Sequence, residues 1–315
     1  MIMKDELIRT LICGGQISLM AASATALCDK VRRIHDCSPV AAAALGRCLT
    51  ASVLMGASLK GKRDKLSLIV DGSGPAGKII CTVTTDGIIK GYIQNPAAEL
   101  PPRADGKLDV GGIVGGGKLT VVRDEGQPEP YVGMSRLVSG EIAEDIAAYY
   151  ALSEQKPTAV VLGVLCTSSG VSAAGGLFVT PLPGCDEEAL CRAEKVLGEL
   201  EGISTLIKRY DTLEALVEDK FASLSVQVLD KKDIEYKCDC SRERMERALL
   251  SLGRNELESI ASQQDTVEMS CQFCNSRYVF DSGEILEAIK STDADHKESG
   301  ESTNRNIVCS GENDE

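Results

Sequence analysis

Two cysteine pairs constrain this chain more than any other feature. KCDC carries Cys238 and Cys240, and CQFC carries Cys271 and Cys274. They fall in a stretch, residues 236–290, that has few large apolar side chains. A unit of about 55 residues is marginal on hydrophobic burial alone and needs a staple. Zinc is one, held by tetrahedral Cys₄ coordination assembled from separated pairs. C-x-x-C at a hairpin tip presents two sulfurs to one ion. C-x-C is tighter, because the chain must bend for sulfurs two residues apart to converge. That favours a loop just before a helix, which is where Cys238 and Cys240 lie. An iron–sulfur cluster takes the same ligand set, and four separately buried thiols are the plain structural alternative. Neither histidine joins the set, since His35 stands in the first region and His296 near the C-terminus. The spacing alone leaves metal binding, disulfide formation, or both in turn as open readings.

The 315 residues give room for two or three domains. Hydrophobic residues make up 43% and aromatics 3%, with no Trp, so the cores are built mainly from Ala, Val, Leu and Ile. The formal charge of −13 disfavours nucleic acid and anionic lipid, which are bound chiefly through Lys/Arg excess. The alternative reading of the cysteine unit is a zinc-ribbon nucleic-acid-binding regulator, because Arg242, Arg244, Arg247 and Arg254 follow Cys240 closely. The interspersed Glu243, Glu246 and Glu256 favour a solvated, ion-paired helix instead. At the N-terminus Asp5 and Glu6 stand where a signal peptide wants positive charge, and no clean apolar core follows. The chain therefore reads as cytoplasmic, where its thirteen cysteines are expected as thiols or metal ligands.

The first region, 1–183, mixes periods. Residues 19–35 look helical. PVAAAALGRCLTASVLMGASL, 39–59, is long enough to span a membrane, but it is Ala/Ser/Gly-rich and carries Arg47 in its middle. It reads as a central helix of a soluble domain, with Ser38 as N-cap, Pro39 at N1 and Gly61 as the stop. KLSLIVDG, KIICTVTTDG, IIKGYIQNP and KLTVVRDEGQPEPYVGMSRL read as antiparallel strands and hairpins. SGEIAEDIAAYYALSEQ is a helix with Ser139 as its expected cap, and TAVVLGVLCTSSGVSAAGGLFVTPLP gives two more strands. The fold class is thus α+β with a mainly antiparallel sheet. Residues 184–235 form a charged helical linker with a narrow apolar stripe, packed on the first domain or releasable from it. Residues 236–290 give two short helices, a hairpin whose tip carries Cys271 and Cys274, and a final helix. Residues 291–315 are acidic and aperiodic, and disorder is expected there.

Enzymatic motifs are weak, and the chain is read as a non-enzyme. Gly112, Gly117 and Lys118 match a phosphate-loop spacing, but Leu119 replaces the Mg²⁺-binding hydroxyl and a strand follows instead of a helix. No G-x-S-x-G accompanies the two histidines. A thiol–disulfide oxidoreductase built on CQFC would need a βαβ context that the hairpin does not provide. Cys13, Cys28, Cys37, Cys48, Cys81 and Cys166 read as buried thiols, Cys185 and Cys191 as a conceivable auxiliary pair, and Cys309 as exposed.

The cysteine pattern in CQFCNSRYVF resembles that of the heat-shock protein 33 family of redox-regulated chaperones. SPVAAAALGRCLTASVLMGASLKG, GYIQNP, GKLDVGGIVGGGKLTVVRD, EPYVGMSRLVSGEIAEDIAAYYALSEQ and AAGGLFVTPLPG resemble its N-terminal domain, so the likeness covers most of residues 1–290. The resemblance implies that Cys238, Cys240, Cys271 and Cys274 bind one zinc ion in the reduced protein. It implies that oxidative stress converts them to disulfides Cys238–Cys240 and Cys271–Cys274, with zinc release, unfolding of the C-terminal unit and loosening of the linker. The chain would then hold unfolded or partly folded client proteins without ATP, as a homodimer when oxidised. The acidic tail is a departure that this switch does not require. Residue chemistry agrees with the implied cycle: zinc keeps thiols deprotonated, thiolates are what oxidants attack, and a small C-x-C ring is readily reduced.

Overall fold

The computed structural model describes residues 3–287. Its contacts divide the chain into two compact units, Met1–Cys238 and Asp239 onward.

The first unit is built from two sheets. One has the strand order β10-β1-β2-β9-β8, formed by β1 (Glu6–Ile12), β2 (Ile17–Ser23), β8 (Ala159–Thr167), β9 (Gly170–Pro181) and β10 (Gln227–Asp233). The other has the order β11-β5-β4-β3-β6-β7, from β3 (Lys65–Gly72), β4 (Lys78–Thr84), β5 (Ile88–Ile93), β6 (Gly117–Asp124), β7 (Tyr131–Arg136) and β11 (Glu235–Tyr236). Every pairing is antiparallel except β11 on β5. With α1 (Thr25–His35), α2 (Pro39–Gly56), α3 (Val110–Val114) and α4 (Ala143–Leu152), this is the α+β class expected.

Helix α2 is the centre of the unit, touching strands of both sheets. A helix apolar all round must be enclosed, and 89% of its 18 residues are buried in protein. Ser38 caps it as expected, accepting from Ala41 N at 3.2 Å. The helix ends at Gly56 rather than Gly61. A Cβ on Gly56 would stand 2.6 Å from Val83 Cγ1, so this terminus needs glycine for close approach to β4. The Arg47 guanidinium is neutralised by Glu141, 2.5 Å away.

Residues 17–23 are a strand, not the start of a helix. The Ala-rich run MAAS pairs with β1 on one side and β9 on the other, so sheet pairing overrides its helical propensity. The 184–235 segment contributes α5 (Glu187–Gly198), α6 (Ile203–Arg209) and α7 (Leu213–Lys220), and then the strands β10 and β11. Ala189, Ala193, Ile203, Leu206, Ile207, Leu213, Leu216 and Val217 join Ile8, Ile12, Ile17, Leu19 and Leu177 in one buried cluster. Helix α6 comes close because its facing residues are glycines. A Cβ on Gly163 would lie 2.7 Å from Ile203 Cγ2, and one on Gly175 only 2.1 Å from Ile207 Cδ1.

The second unit contains α8 (Arg242–Leu250), α9 (Arg254–Gln263), the hairpin β12 (Thr266–Ser270) and β13 (Arg277–Asp281), and helical residues 282–287. Its core consists of Leu249, Leu257, Phe280 and Ile285. The acidic segment 291–315 lies outside the described residues.

Ser139 does not cap α4. The fully buried Asp145 carboxylate does that work, with Oδ1 accepting from Val138, Ser139 and Gly140 N at 2.6, 3.0 and 3.2 Å and Oδ2 from Ile142 N at 2.9 Å. These bonds hold buried Ile142 at φ 70°, a conformation that a β-branched residue resists. Asp145→Ala should therefore lower the unfolding free energy of the first unit by about 3 kcal/mol, since the buried Gly140 and Ile142 N–H groups lose their acceptor together with the less buried Val138 and Ser139 ones. Asp145→Asn, which keeps one carbonyl acceptor, should lose less. Urea unfolding followed by circular dichroism checks both, and an Ala variant as stable as the parent would contradict this account.

Candidate metal centre

Two local devices bring the cysteines together. The first is the start of α8. Ser241 is its N-cap, accepting from Arg244 N at 3.3 Å, so Cys238 and Cys240 lie in the turn leading into a helix N-terminus. The residue between them is tied back: the Asp239 carbonyl accepts from Arg244 Nη1 at 2.8 Å, and its carboxylate pairs with the same guanidinium. The second device is the β12–β13 tip. Cys271 N donates to Ser276 O at 2.9 Å, and Asn275 N donates to Cys271 O at 2.8 Å. Asn275 closes the turn in the left-handed region at φ 57°, which Asn tolerates well.

The four Sγ atoms of Cys238, Cys240, Cys271 and Cys274 lie within 4.8 Å of one another. Cys240 and Cys274 are 3.4 Å apart. A tetrahedral Zn–S₄ centre with bonds of about 2.3 Å has sulfurs about 3.8 Å apart, so this spacing suits one ion and is far beyond a disulfide bond of about 2.05 Å. Cys271 is buried and the other three are partly so. The donor set is all sulfur, matching a borderline-soft cation such as zinc. Tyr278 Oη donates to Cys240 Sγ at 3.0 Å, and this bond pushes the phenol up to about 12. Ser276 Oγ lies 3.2 Å from Cys274 Sγ. Among the described residues this is the one cluster of three or more metal-ligating side chains. His35 is buried in the first unit, its Nε2 3.3 Å from Gly91 O, and His296 is outside the described residues.

Of the arginines after Cys240, Arg242, Arg244 and Arg254 have acidic partners. Arg242 reaches Glu284 at 2.6 Å and Val279 O at 2.7 Å, its guanidinium 4.5 Å from the Phe280 ring centre. Arg254 pairs with Glu258 at 2.8 Å. The groove beside α8 mixes Arg242 and Arg247 with Glu243, Glu246, Glu284 and Glu287, a surface unlike a phosphate-binding one. At the glycine-rich 112–118 stretch, the Asp109 carboxylate accepts from Gly112 N at 2.9 Å, and β6 begins at Gly117. A carboxylate on that amide is incompatible with a phosphate loop.

Among the remaining cysteines, Cys13, Cys28, Cys37, Cys48 and Cys81 are buried and Cys166 is partly so. Cys191 is exposed, while Cys185 is half-buried and donates to Asp186 O at 3.5 Å. Cys309 is outside the described residues. Sequence reading missed Tyr278 and Ser276. The alternation of β13 sets Tyr278 on the same face as buried Phe280 but does not say which residue it meets, and Ser276 lies just before the strand.

A family model described as Hsp33 protein matches residues 5–281. The 33 kDa chaperonin of Clostridium botulinum strain Hall is 43% identical over 290 residues, covering 90% of this chain and 98% of that protein. The 33 kDa chaperonin of Clostridium acetobutylicum is 42% identical over 291 residues, covering 91% and 98%. The crystal structure of the 33 kDa chaperonin (heat shock protein 33 homolog) from Thermotoga maritima superposes with a TM-score of 0.84 at 34% identity, covering 92% of this chain and 99% of that one.

Desolvation pushes Cys37 up to about 12 and Cys166 up to about 11, and it raises Cys13, Cys28, Cys48 and Cys81. The unfolded value is about 8.5. Folding therefore favours the protonated thiols: their contribution is complete below that value and is lost as pH rises toward 11–12. The urea midpoint of the first unit should hold to pH 8 and fall between pH 9 and 11. A midpoint unchanged to pH 11 would contradict the burial of these groups.

Proposed function

The chain belongs to the Hsp33 family and is a chaperone that binds client proteins, and from that premise we propose that it is a redox-regulated, ATP-independent holdase switched by its four clustered thiols. The observation that carries this reading is the convergence of four sulfurs within 4.8 Å in a unit whose core, among the described residues, is built on Leu249, Leu257, Phe280 and Ile285. Cys238, Cys240, Cys271 and Cys274 would hold one zinc ion. When bound, zinc keeps these sulfurs as thiolates at neutral pH and contributes about 10–16 kcal/mol of folding free energy in small structural sites.

The chain's own residues then act as sensor. A thiolate attacks a peroxide oxygen, the O–O bond breaks, and a sulfenic acid and hydroxide result. A neighbouring thiolate attacks that sulfur and expels a second hydroxide, forming the S–S bond. Two protons convert both hydroxides to water. The pairs Cys238–Cys240 and Cys271–Cys274 follow the family resemblance. The 3.4 Å approach of Cys240 to Cys274 offers a cross-pair that peptide mapping of the oxidised protein distinguishes. Disulfide sulfurs no longer bind the ion, and the 236–290 module unfolds. The 184–235 segment loosens with it, uncovering the apolar face over Ile8, Ile12, Ile17 and Leu19 that α5, α6 and α7 cover. Clients in partly unfolded states dock on such apolar surface, and the same surface supports dimerisation of the oxidised chain. A reducing cytoplasm keeps the resting state as thiols.

The test is direct. Reduced protein should carry about one zinc per chain, the stoichiometry of a Cys₄ site, and leave aggregation of a thermally unfolding client unchanged in light scattering. Hypochlorite, or peroxide with warming, should release the zinc and suppress the scattering, and dithiothreitol with zinc should reverse both. A fully oxidised, zinc-free protein that fails to suppress aggregation would refute the proposal.

A further inference from the structure

The metal-centre reading above leaves open what orients the sulfurs and sets their reactivity. Strand β13 alternates, with Arg277, Val279 and Asp281 exposed while Tyr278 is half-buried and Phe280 is buried. Phe280 fills the small core, and the Tyr278 ring packs against its margin. From there its hydroxyl reaches Cys240 Sγ at 3.0 Å, 38 residues away in sequence. The exposed Ser276 hydroxyl lies 3.2 Å from Cys274 Sγ, as acceptor. Cys240 and Cys274 are themselves 3.4 Å apart. Two thiolates at that separation would repel, and the Tyr278 hydroxyl sits where it donates to one of them.

We propose that Tyr278 is a positioning residue of the sulfur cluster: its hydroxyl donates to the Cys240 thiolate, orienting that sulfur toward the ion and damping its reaction with oxidants. A hydrogen bond withdraws charge from sulfur, so the thiolate stays a ligand while becoming a weaker nucleophile. Tyr278 thereby sets the threshold of the switch.

Tyr278→Phe keeps the ring and removes the donor, and Tyr278→Leu removes both. Zinc affinity, read by competition with a chromophoric chelator, should fall about 10- to 100-fold in the Phe variant, the usual cost of losing a partner that orients a ligand. Zinc release by peroxide should be several-fold faster. In the cobalt(II)-loaded protein, the sulfur-to-cobalt charge-transfer bands should move to lower energy, because an undonated thiolate is a stronger electron donor. A purely packing role would not move those bands. Unmoved bands in Tyr278→Phe, or an affinity loss confined to Tyr278→Leu, would overturn the proposal. A parent protein that takes up neither zinc nor cobalt would instead remove the metal-centre reading on which it rests.

Discussion

Four sulfurs gathered within 4.8 Å are the interaction on which the rest depends. As thiolates they repel one another, and only a shared cation reverses the sign of that interaction. The unit around them cannot compensate for its loss. Leu249, Leu257, Phe280 and Ile285 form its buried core, with Met245, Leu250, Val267, Met269 and Tyr278 at the margin. The ion pairs of Arg242 and Arg244 are surface ones, worth little individually. On the proposed function, fold and chemistry are coupled in this unit: a change of charge on sulfur would decide whether α8, α9 and the hairpin stay together.

The first unit obeys different physics. Its centre is a helix enclosed by two sheets, and Cys28, Cys37, Cys48 and Cys81 are shielded by burial, which holds them as protonated thiols. On the proposed function, the same residue type is shielded in the first unit's core and serves as sensor in the second. On the far side of the five-stranded sheet, α5, α6 and α7 bury an apolar face and turn charged residues to solvent. After these helices the chain passes through β10 and β11 before reaching Cys238. The proposed holdase needs apolar surface that is hidden at rest, and this buried face is the one that function would uncover. The net charge of −13 would help the molecule stay dispersed were that face uncovered.

Much of this was legible in sequence, for identifiable reasons. KLSLIVDG, KIICTVT and IIKGYI alternate cleanly, and each is a strand buried on alternate residues. Ser38-Pro39 announced the start of α2. The cysteine spacing pointed to the cluster because sulfur pairs on short turns have few ways to converge. Other elements carried no local signal. Strand β10, QVLDKKD, is exposed along most of its length and exists because β1 offers it an edge. Residues 19–35 look helical in sequence, and Ala favours helices, but the position of MAAS between β1 and β9 makes it strand. The cap of α4 was assigned to Ser139, the usual residue type, whereas buried Asp145 gathers four amides that only the folded loop presents together. The Tyr278–Cys240 contact joins residues 38 apart, and no local pattern encodes it.

Amide hydrogen exchange on the fully reduced chain, before and after metal is stripped by a chelator, tests the central claim most directly. Protection in α8, α9 and the β12–β13 hairpin should collapse on stripping, while the strands β3, β4 and β6 keep theirs. Undiminished protection across 242–287 in the metal-free thiol form would show that the unit stands on its own packing, and that sulfur chemistry does not govern its fold.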